Sequence, residues 1–133
     1  MVSIIIPTYK RSNTLERAIE SCIKQTYTNI EIIVVDDNEP NSEYRNITEN
    51  IMKKYEKMDN VIYIKHSQNL KGSAARNTGI RNANGNYITF LDDDDILYDE
   101  KISKQVKVLE KGQFDVVCCG VELINESNNK KMG

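Results

Sequence analysis

The run Asp92-Asp93-Asp94-Asp95 sets four carboxylates in succession directly after the apolar stretch ITFL. Two unit charges ~4 Å apart repel by about 1 kcal/mol in bulk water, and by roughly four times that near a protein surface. Such crowding suits either a solvated loop or a place where a positive charge belongs. Aspartates are hard oxygen ligands, of the kind that hold Mg²⁺ or Mn²⁺ together with substrate phosphates. Along an extended chain Asp92 and Asp94 point to the same side. One of them could hold a metal while the other accepts from a sugar hydroxyl.

A second acidic pair, Asp36-Asp37, ends the run IEIIVV. Asp37, with Thr8 and Tyr9 nearby, suits hydrogen bonds from a base or ribose, an aromatic ring packing on the base. No glycine loop of the GxGxxG or GxxxxGK type is present to cradle phosphates. Counter-charge for a phosphate would therefore come from a metal and a basic residue, for which Arg76 is the candidate.

These residues need elements to position them. SIIIP (3–7) reads as a short buried strand closed by Pro7, which has no donor for a ladder. Asn13 and Glu16 resemble a capping box, and Leu15, Ala18, Ile19, Cys22 and Ile23 recur on one helical face. IEIIVVDD (30–37) is a second strand. Tyr44, Ile47, Ile51 and Tyr55 mark a second helix, and VIYIK (61–65) a third strand. Residues 72–83 suit a helix despite Gly79, and Asn84-Gly85 turns the chain into the strand NYITFL. Asp99 can cap a fourth helix with Ile102, Val106 and Leu109 inward and Gly112 past its end. FDVVCCGV (114–121) reads as a fifth strand. Strands alternating with helices predict an α/β domain of three α/β/α layers around a mostly parallel sheet, with IIVV and ITFL covered on both faces. In such sheets ligands gather outside the carboxyl ends of the strands. Thr8 and Tyr9, Asp36 and Asp37, and Asp92 to Asp95 all fall there.

The 133 residues, 39% apolar and 29% charged, are one globular domain's worth of chain. The net charge of -2 and the scattered basic residues do not favour nucleic-acid binding. No apolar run approaches the ~20 residues of a membrane span, and the N-terminus lacks the cationic region of a signal peptide. A cytoplasmic protein is expected. Cys22, Cys118 and Cys119 have neither metal-like nor disulfide spacing and read as apolar fillers. His66, the single histidine, reads as a surface or strand-end residue outside any catalytic unit.

Taken in order, SIIIPTYKR, IIVVDDN, NLKGSAARNTGI and GNYITFLDDDD resemble the family 2 glycosyltransferases, inverting enzymes of the GT-A fold. The likeness spans residues 2 to about 120. It implies a Rossmann-like nucleotide-binding half in which Pro7, Thr8 and Tyr9 enclose the base and Asp37 reads it, usually uracil. It places Arg76 beside the nucleotide. Asp92, Asp93 and Asp94 match the DxD motif, with Asp94 nearest an Mn²⁺ or Mg²⁺ ion and Asp92 or Asp93 towards the ribose. The implied partners are a nucleotide-sugar donor, commonly a UDP-sugar, and a glycan or lipid-linked acceptor. The commonest setting is bacterial surface polysaccharide synthesis, with peripheral contact at the inner face of the membrane. In the family, an acceptor half carrying the catalytic base follows the DxD motif by many tens of residues. Here only residues 96–133 follow Asp95, and Glu122 and Glu126 sit in the wrong part of the pattern, so no catalytic base is assigned. The expectation is that residues 1–133 are a single donor-binding domain truncated on its acceptor side. Two other readings stay open: a non-catalytic nucleotide-binding module, and a receiver-type signalling domain, which also binds Mg²⁺ with clustered aspartates.

Overall fold

The structure, a computed structural model, describes residues 1–127 and 130–132. Two compact units are distinguished, Met1–Ile102 and Ser103–Gly133. In the first, the chain runs β1 (Val2–Thr8), α1 (Ser12–Ile23), β2 (Ile30–Asp36), α2 (Glu43–Met52), β3 (Val61–Lys65), α3 (Gly72–Asn82) and β4 (Tyr87–Phe90). A single 3-10 turn, Lys53–Tyr55, follows α2. The four strands form one parallel sheet in the order β3-β2-β1-β4.

Topology decides the layers. The chain steps from β1 to β2 to β3 in one direction and then back past β1 to β4. Right-handed crossovers therefore put α1 and α2 on one face and α3 on the other. Ile4, Ile5, Ile6, Ile32, Ile33, Val34 and Val35 are all fully buried, as continuous apolar strands covered on both faces require. Under α3, Ile5, Ile33, Val35 and Ala75 form a cluster with Ile62, Ile64 and Ala83 packed against it. On α1, Leu15, Ala18, Ile19 and Cys22 are buried, as their spacing predicts. Burial pushes the Cys22 thiol up to about 12, which keeps it a protonated apolar filler.

Gly79 lets α3 lie close to the sheet. A Cβ there would overlap Cγ2 of Ile5. The amino end of the sheet is tied by Glu31, which is 5% exposed. Its Oε1 accepts from Ser3 Oγ at 2.6 Å and from the Asn84 amide at 2.6 Å, and its Oε2 accepts from Asn84 Nδ2 at 3.2 Å. Burial alone would raise this carboxyl, but the donors from Asn84 and Ser3 outweigh it and leave the group below its ordinary value.

Several expectations are corrected. Strand β1 continues through Pro7 to Thr8. Pairing with β4 stops at Ile5, whose carbonyl accepts from Leu91 on that side, so the donor that Pro7 lacks has no strand to meet. The capping box of α1 does not form: the cap residue is Arg11, with no side-chain bond to the helix. On α2 the buried positions are Arg45, Thr48 and Met52, while Tyr44 and Ile47 are exposed. The helix is turned inward by a buried charge rather than by its apolar stripe, and Ser42 caps it by accepting from the Arg45 amide. In β4, Ile88 and Phe90 are 42% and 43% exposed. They share the face of Ser3 and Ile5, but α3 covers β1 and β2 rather than this edge.

In the second unit, α4 (Lys101–Leu109) begins just before the division and continues into it. It ends as expected, Gly112 taking φ +71° and donating to Leu109 O at 3.0 Å. A hairpin pairs β5 (Leu123–Asn125) with β6 (Lys130–Met132). Residues 114–121 are not a strand, and Phe114, Val116 and Val121 are exposed. A strand exists only where a neighbour supplies ladder hydrogen bonds, and among the described residues none pairs with this segment.

Two outcomes follow. Gly79→Ala should cost about 1–3 kcal/mol in urea unfolding, since Ile5 or the helix must shift to admit the methyl. Glu31→Ala should cost about 2 kcal/mol near neutral pH by leaving buried donors unpaired. Because the folded carboxyl titrates below its unfolded value, that contribution is complete above the ordinary glutamate range. It is lost as pH falls through the folded value, so the gap between variant and wild type should close in acid.

Candidate functional site

The chain's reversal past β1 makes a topological switch point at the carboxyl ends of β1 and β4, where ligands gather in such sheets. Thr8 lies at this point. Its hydroxyl, 2% exposed, donates to Asp93 Oδ2 at 2.8 Å and so ties the two strand ends together. Its carbonyl accepts from the Asp37 amide at 2.9 Å, which draws in the end of β2. Pro7 is half-buried just before it. Tyr9 is 40% exposed. Lys10 Nζ lies 5.2 Å from the Tyr9 ring centre and 5.7 Å from that of Tyr44. Lys10 itself takes φ 51°, held by its amide donating to Asn38 Oδ1 at 2.8 Å.

The two acids that end β2 are separated by their partners. Asp36 is fully buried, with Arg45 Nε 3.0 Å from its Oδ2 and the Tyr63 hydroxyl donating to the same oxygen at 2.5 Å. Its Oδ1 accepts from the amide and side chain of Asn38. Arg45 Nη2 also donates to the carbonyls of Asn38 at 2.6 Å and His66 at 2.7 Å. Burial and the bond to Asp36 push the Tyr63 hydroxyl well above its ordinary range. Asp36 is thus consumed by structure.

Asp37, 3% exposed, faces the loop after β3. Its Oδ1 accepts from the Leu70 amide and His66 Nδ1, both at 2.8 Å, and its Oδ2 from the Lys71 amide at 2.9 Å. A carboxylate has about four acceptor positions, so one on Oδ2 is left over. Lys71 is held at φ 76°, a strained value for a residue with a side chain. Asn69 adds an acceptor that the sequence reading did not single out. Its Nδ2 donates to the Asp37 carbonyl at 3.3 Å, and its buried Oδ1 has no protein partner. Because a carbonyl can only accept, the amide orientation is settled, and the free atom is an oxygen.

The acidic run makes a turn, the Asp95 amide donating to the Asp92 carbonyl at 3.1 Å. This brings oxygens of Asp92, Asp94 and Asp95 within 4.8 Å of one another on the exposed side. Asp93, 7% exposed, turns inward to Thr8 instead. Burial raises the Asp93 carboxyl despite opposing pulls from Thr8 and Arg11. Asp95 is also raised, by partial desolvation and then by the charges of Asp94 and Asp92. The chain supplies its own counter-charges. Arg11 Nη1 pairs with Asp94, and Arg11 Nε lies 3.8 Å from Asp93. Arg17 Nη2 donates to the Asp94 carbonyl at 3.3 Å, and Arg76 Nη2 to Asp92 at 3.3 Å. Arg76 therefore stands beside the acidic run, on α3. Arg11 and Arg17 were not singled out from the sequence, where their only signal is their position after β1 and on α1. Glu122 belongs to the second unit and pairs with Lys131 at 3.0 Å; Glu126 is in that unit and exposed.

A family model described as Glycosyl transferase family 2 matches residues 3–133. The chain belongs to this family. An uncharacterized glycosyltransferase of Rickettsia felis is 42% identical over 127 residues, covering 94% of this chain and 20% of that protein. The Escherichia coli protein WfgD, a UDP-Glc:alpha-D-GlcNAc-diphosphoundecaprenol beta-1,3-glucosyltransferase, is 35% identical, covering 100% of this chain and 49% of its own length. Among solved structures, Staphylococcus aureus TarS 1-349 in complex with UDP-GlcNAc superposes with a TM-score of 0.71 at 27% identity, covering 83% of this chain and 31% of that one. The Pyrobaculum calidifontis mannosyltransferase PcManGT, in complex with GDP-Man and Mn²⁺, superposes at 0.69 with 20% identity, covering 81% and 32%, and speaks for the fold alone. The fold is that of the GT-A glycosyltransferases. The chain spans between about a sixth and two fifths of the length of the first curated relatives it matches. Among the described residues no helix is long and apolar enough to cross a membrane.

Arg45→Met should destabilise this end of the sheet by about 3–5 kcal/mol in chemical unfolding, because it leaves the Asp36 charge buried without a partner. Arg45→Lys should recover only part of that loss. A single ammonium cannot pair with Asp36 and bond the Asn38 and His66 carbonyls together as the guanidinium fork does.

Proposed function

We propose that this chain is the donor-binding portion of an inverting glycosyltransferase that takes a nucleoside-diphosphate sugar, a UDP-sugar first, together with Mn²⁺ or Mg²⁺. One observation carries it: the ends of β1, β2 and β4 are bonded to one another, Thr8 to Asp93 and to the Asp37 amide, so that the Asp37 loop and the acidic turn lie together at the carboxyl end of the sheet. The residues divide the donor between them. Pro7, Thr8 and Tyr9 bound the base, with the Tyr9 ring as its packing face. The spare acceptor on Asp37 takes the single N–H of a uracil base, N3–H. Asp92 and Asp93 lie on the ribose side, Asp93 through its hold on Thr8. Arg76 gives fixed positive charge beside the diphosphate.

The donor set of the acidic turn fits a hard divalent ion. Asp92, Asp94 and Asp95 offer only carboxylate oxygen, exposed and within reach of one another. Asp94 is the principal ligand in this reading. The ion would supply charge neutralisation for the diphosphate leaving group. The acceptor is a glycan or lipid-linked sugar, in bacterial surface polysaccharide synthesis at the inner face of the membrane. The diphosphoundecaprenol acceptor in the name of the E. coli relative supports that class.

Calorimetric titration of UDP with and without Mn²⁺, on this chain and on Asp94→Ala, tests the reading. Binding that requires the ion and falls at least about tenfold in the variant is the expected result, since removing a ligand from a three-carboxylate set takes away a large share of its charge. UDP binding indifferent to both ion and substitution would sink it.

A further inference from the structure

We propose that His66 is a positioning residue for base recognition, the middle of a one-directional hydrogen-bond chain that fixes the Asp37 carboxylate relative to α3. This rests on the reading of Asp37 as the residue that binds the base.

His66 is 8% exposed, and both ring nitrogens are bonded. Nδ1 lies 2.8 Å from Asp37 Oδ1, and Nε2 lies 2.8 Å from Thr78 Oγ1. A carboxylate accepts and does not donate, so the proton sits on Nδ1. In the neutral ring Nε2 is then the acceptor, and the Thr78 hydroxyl must donate to it. Thr78 Oγ1 in turn accepts from Arg81 Nη2 at 3.2 Å. Every donor in the series Arg81, Thr78, His66 points towards Asp37, an order in which each bond polarises the next.

The backbone of His66 is also held. Its amide donates to the Asp36 carbonyl at 2.9 Å, and its carbonyl accepts from Arg45 Nη2 at 2.7 Å. The main chain that carries the ring is therefore fixed at the end of β3, and the ring itself is held through both nitrogens. Its far partner, Thr78, lies on α3 two residues beyond Arg76. The imidazole consequently sets the span between Asp37, at the base, and Arg76, beside the acidic turn. It also holds Oδ1, so that the spare position on Oδ2 faces one direction. A rigid acceptor there selects a base with an imide N–H, as in uracil, over cytosine, whose N3 is itself an acceptor.

The test uses the full chain. As the single histidine, His66 gives one unambiguous set of ring ¹⁵N resonances, and these should show the Nδ1–H tautomer. His66→Phe should lower the preference for UDP over CDP about tenfold, the size of a charge-assisted hydrogen bond, with Mn²⁺ affinity unchanged. His66→Gln, which keeps one donor and one acceptor, should recover most of it. An Nε2–H tautomer in the wild type overturns the proposal, even if the phenylalanine variant fails to fold. A folded His66→Phe with its UDP preference intact does the same. Asp37→Ala separates the two levels. If that variant loses the preference and His66→Phe does not, only the positioning role falls; if Asp37→Ala keeps it, the base-binding reading falls and takes this inference with it.

Discussion

A guanidinium buried to 6% exposure sits at the carboxyl end of the sheet, and the surrounding loops are arranged to neutralise it. Arg45 draws in the Asp36 carboxylate and the carbonyls of Asn38 and His66. It thereby stitches the ends of β2 and β3 to the first turns of α2. Desolvating such a charge is costly unless its partners are well placed. That requirement pins the backbone on both sides of Asp37, the residue given the base in the proposed function. The buried pair is thus a scaffold for its neighbour. One acid is spent so that the next can be held still.

The acidic turn meets a different electrostatic problem. Four carboxylates in a row repel, and the fold relieves them in three ways. One carboxyl is turned inward onto Thr8, two have raised affinity for protons, and three arginines, Arg11 and Arg17 at α1 and Arg76 on α3, stand against the rest. The pairs are solvent-exposed and so individually weak. A cluster of hard oxygens guarded by weak, replaceable counter-charges is well suited to exchange them for a stronger cation and a charged ligand. Strain collects at the same end of the sheet, with Lys10 at positive φ in the loop that carries Tyr9 and Lys71 in the loop after β3 whose amides bond Asp37.

Much of the architecture was legible from periodicity. The continuous runs SIIIP and IIVV could only be strands buried on both faces, and their alternation with helical patterns required a parallel sheet. The family could be read from four blocks in order. Where legibility failed, polar tertiary contacts had overridden local pattern. Tyr44 and Ile47 do not lie on the inner face of α2, which carries Arg45, Thr48 and Met52, with Arg45 set against the buried Asp36. His66 carried no local signal at all, since its partners Asp37 and Thr78 are distant in sequence. Asn69 was hidden for the same reason. Residues 114–121 have the composition of a strand, yet a strand is a relation between two segments and composition describes only one.

The sequence by itself determined the order and type of the elements of the sheet, the side of the strands on which chemistry-bearing residues lie, and the family. These follow from hydrophobic period, turn residues and motif order, all of which are local. Only the tertiary structure decided how the acids divide their work. Asp36 and Asp37 are adjacent and chemically identical, as are Asp93 and Asp94. Asp36 is taken by Arg45 and Asp37 by His66 and the loop after β3, while Asp93 turns in to Thr8 and Asp94 stays exposed against Arg11. Those contacts join residues far apart in the chain, and only the folded topology brings them together.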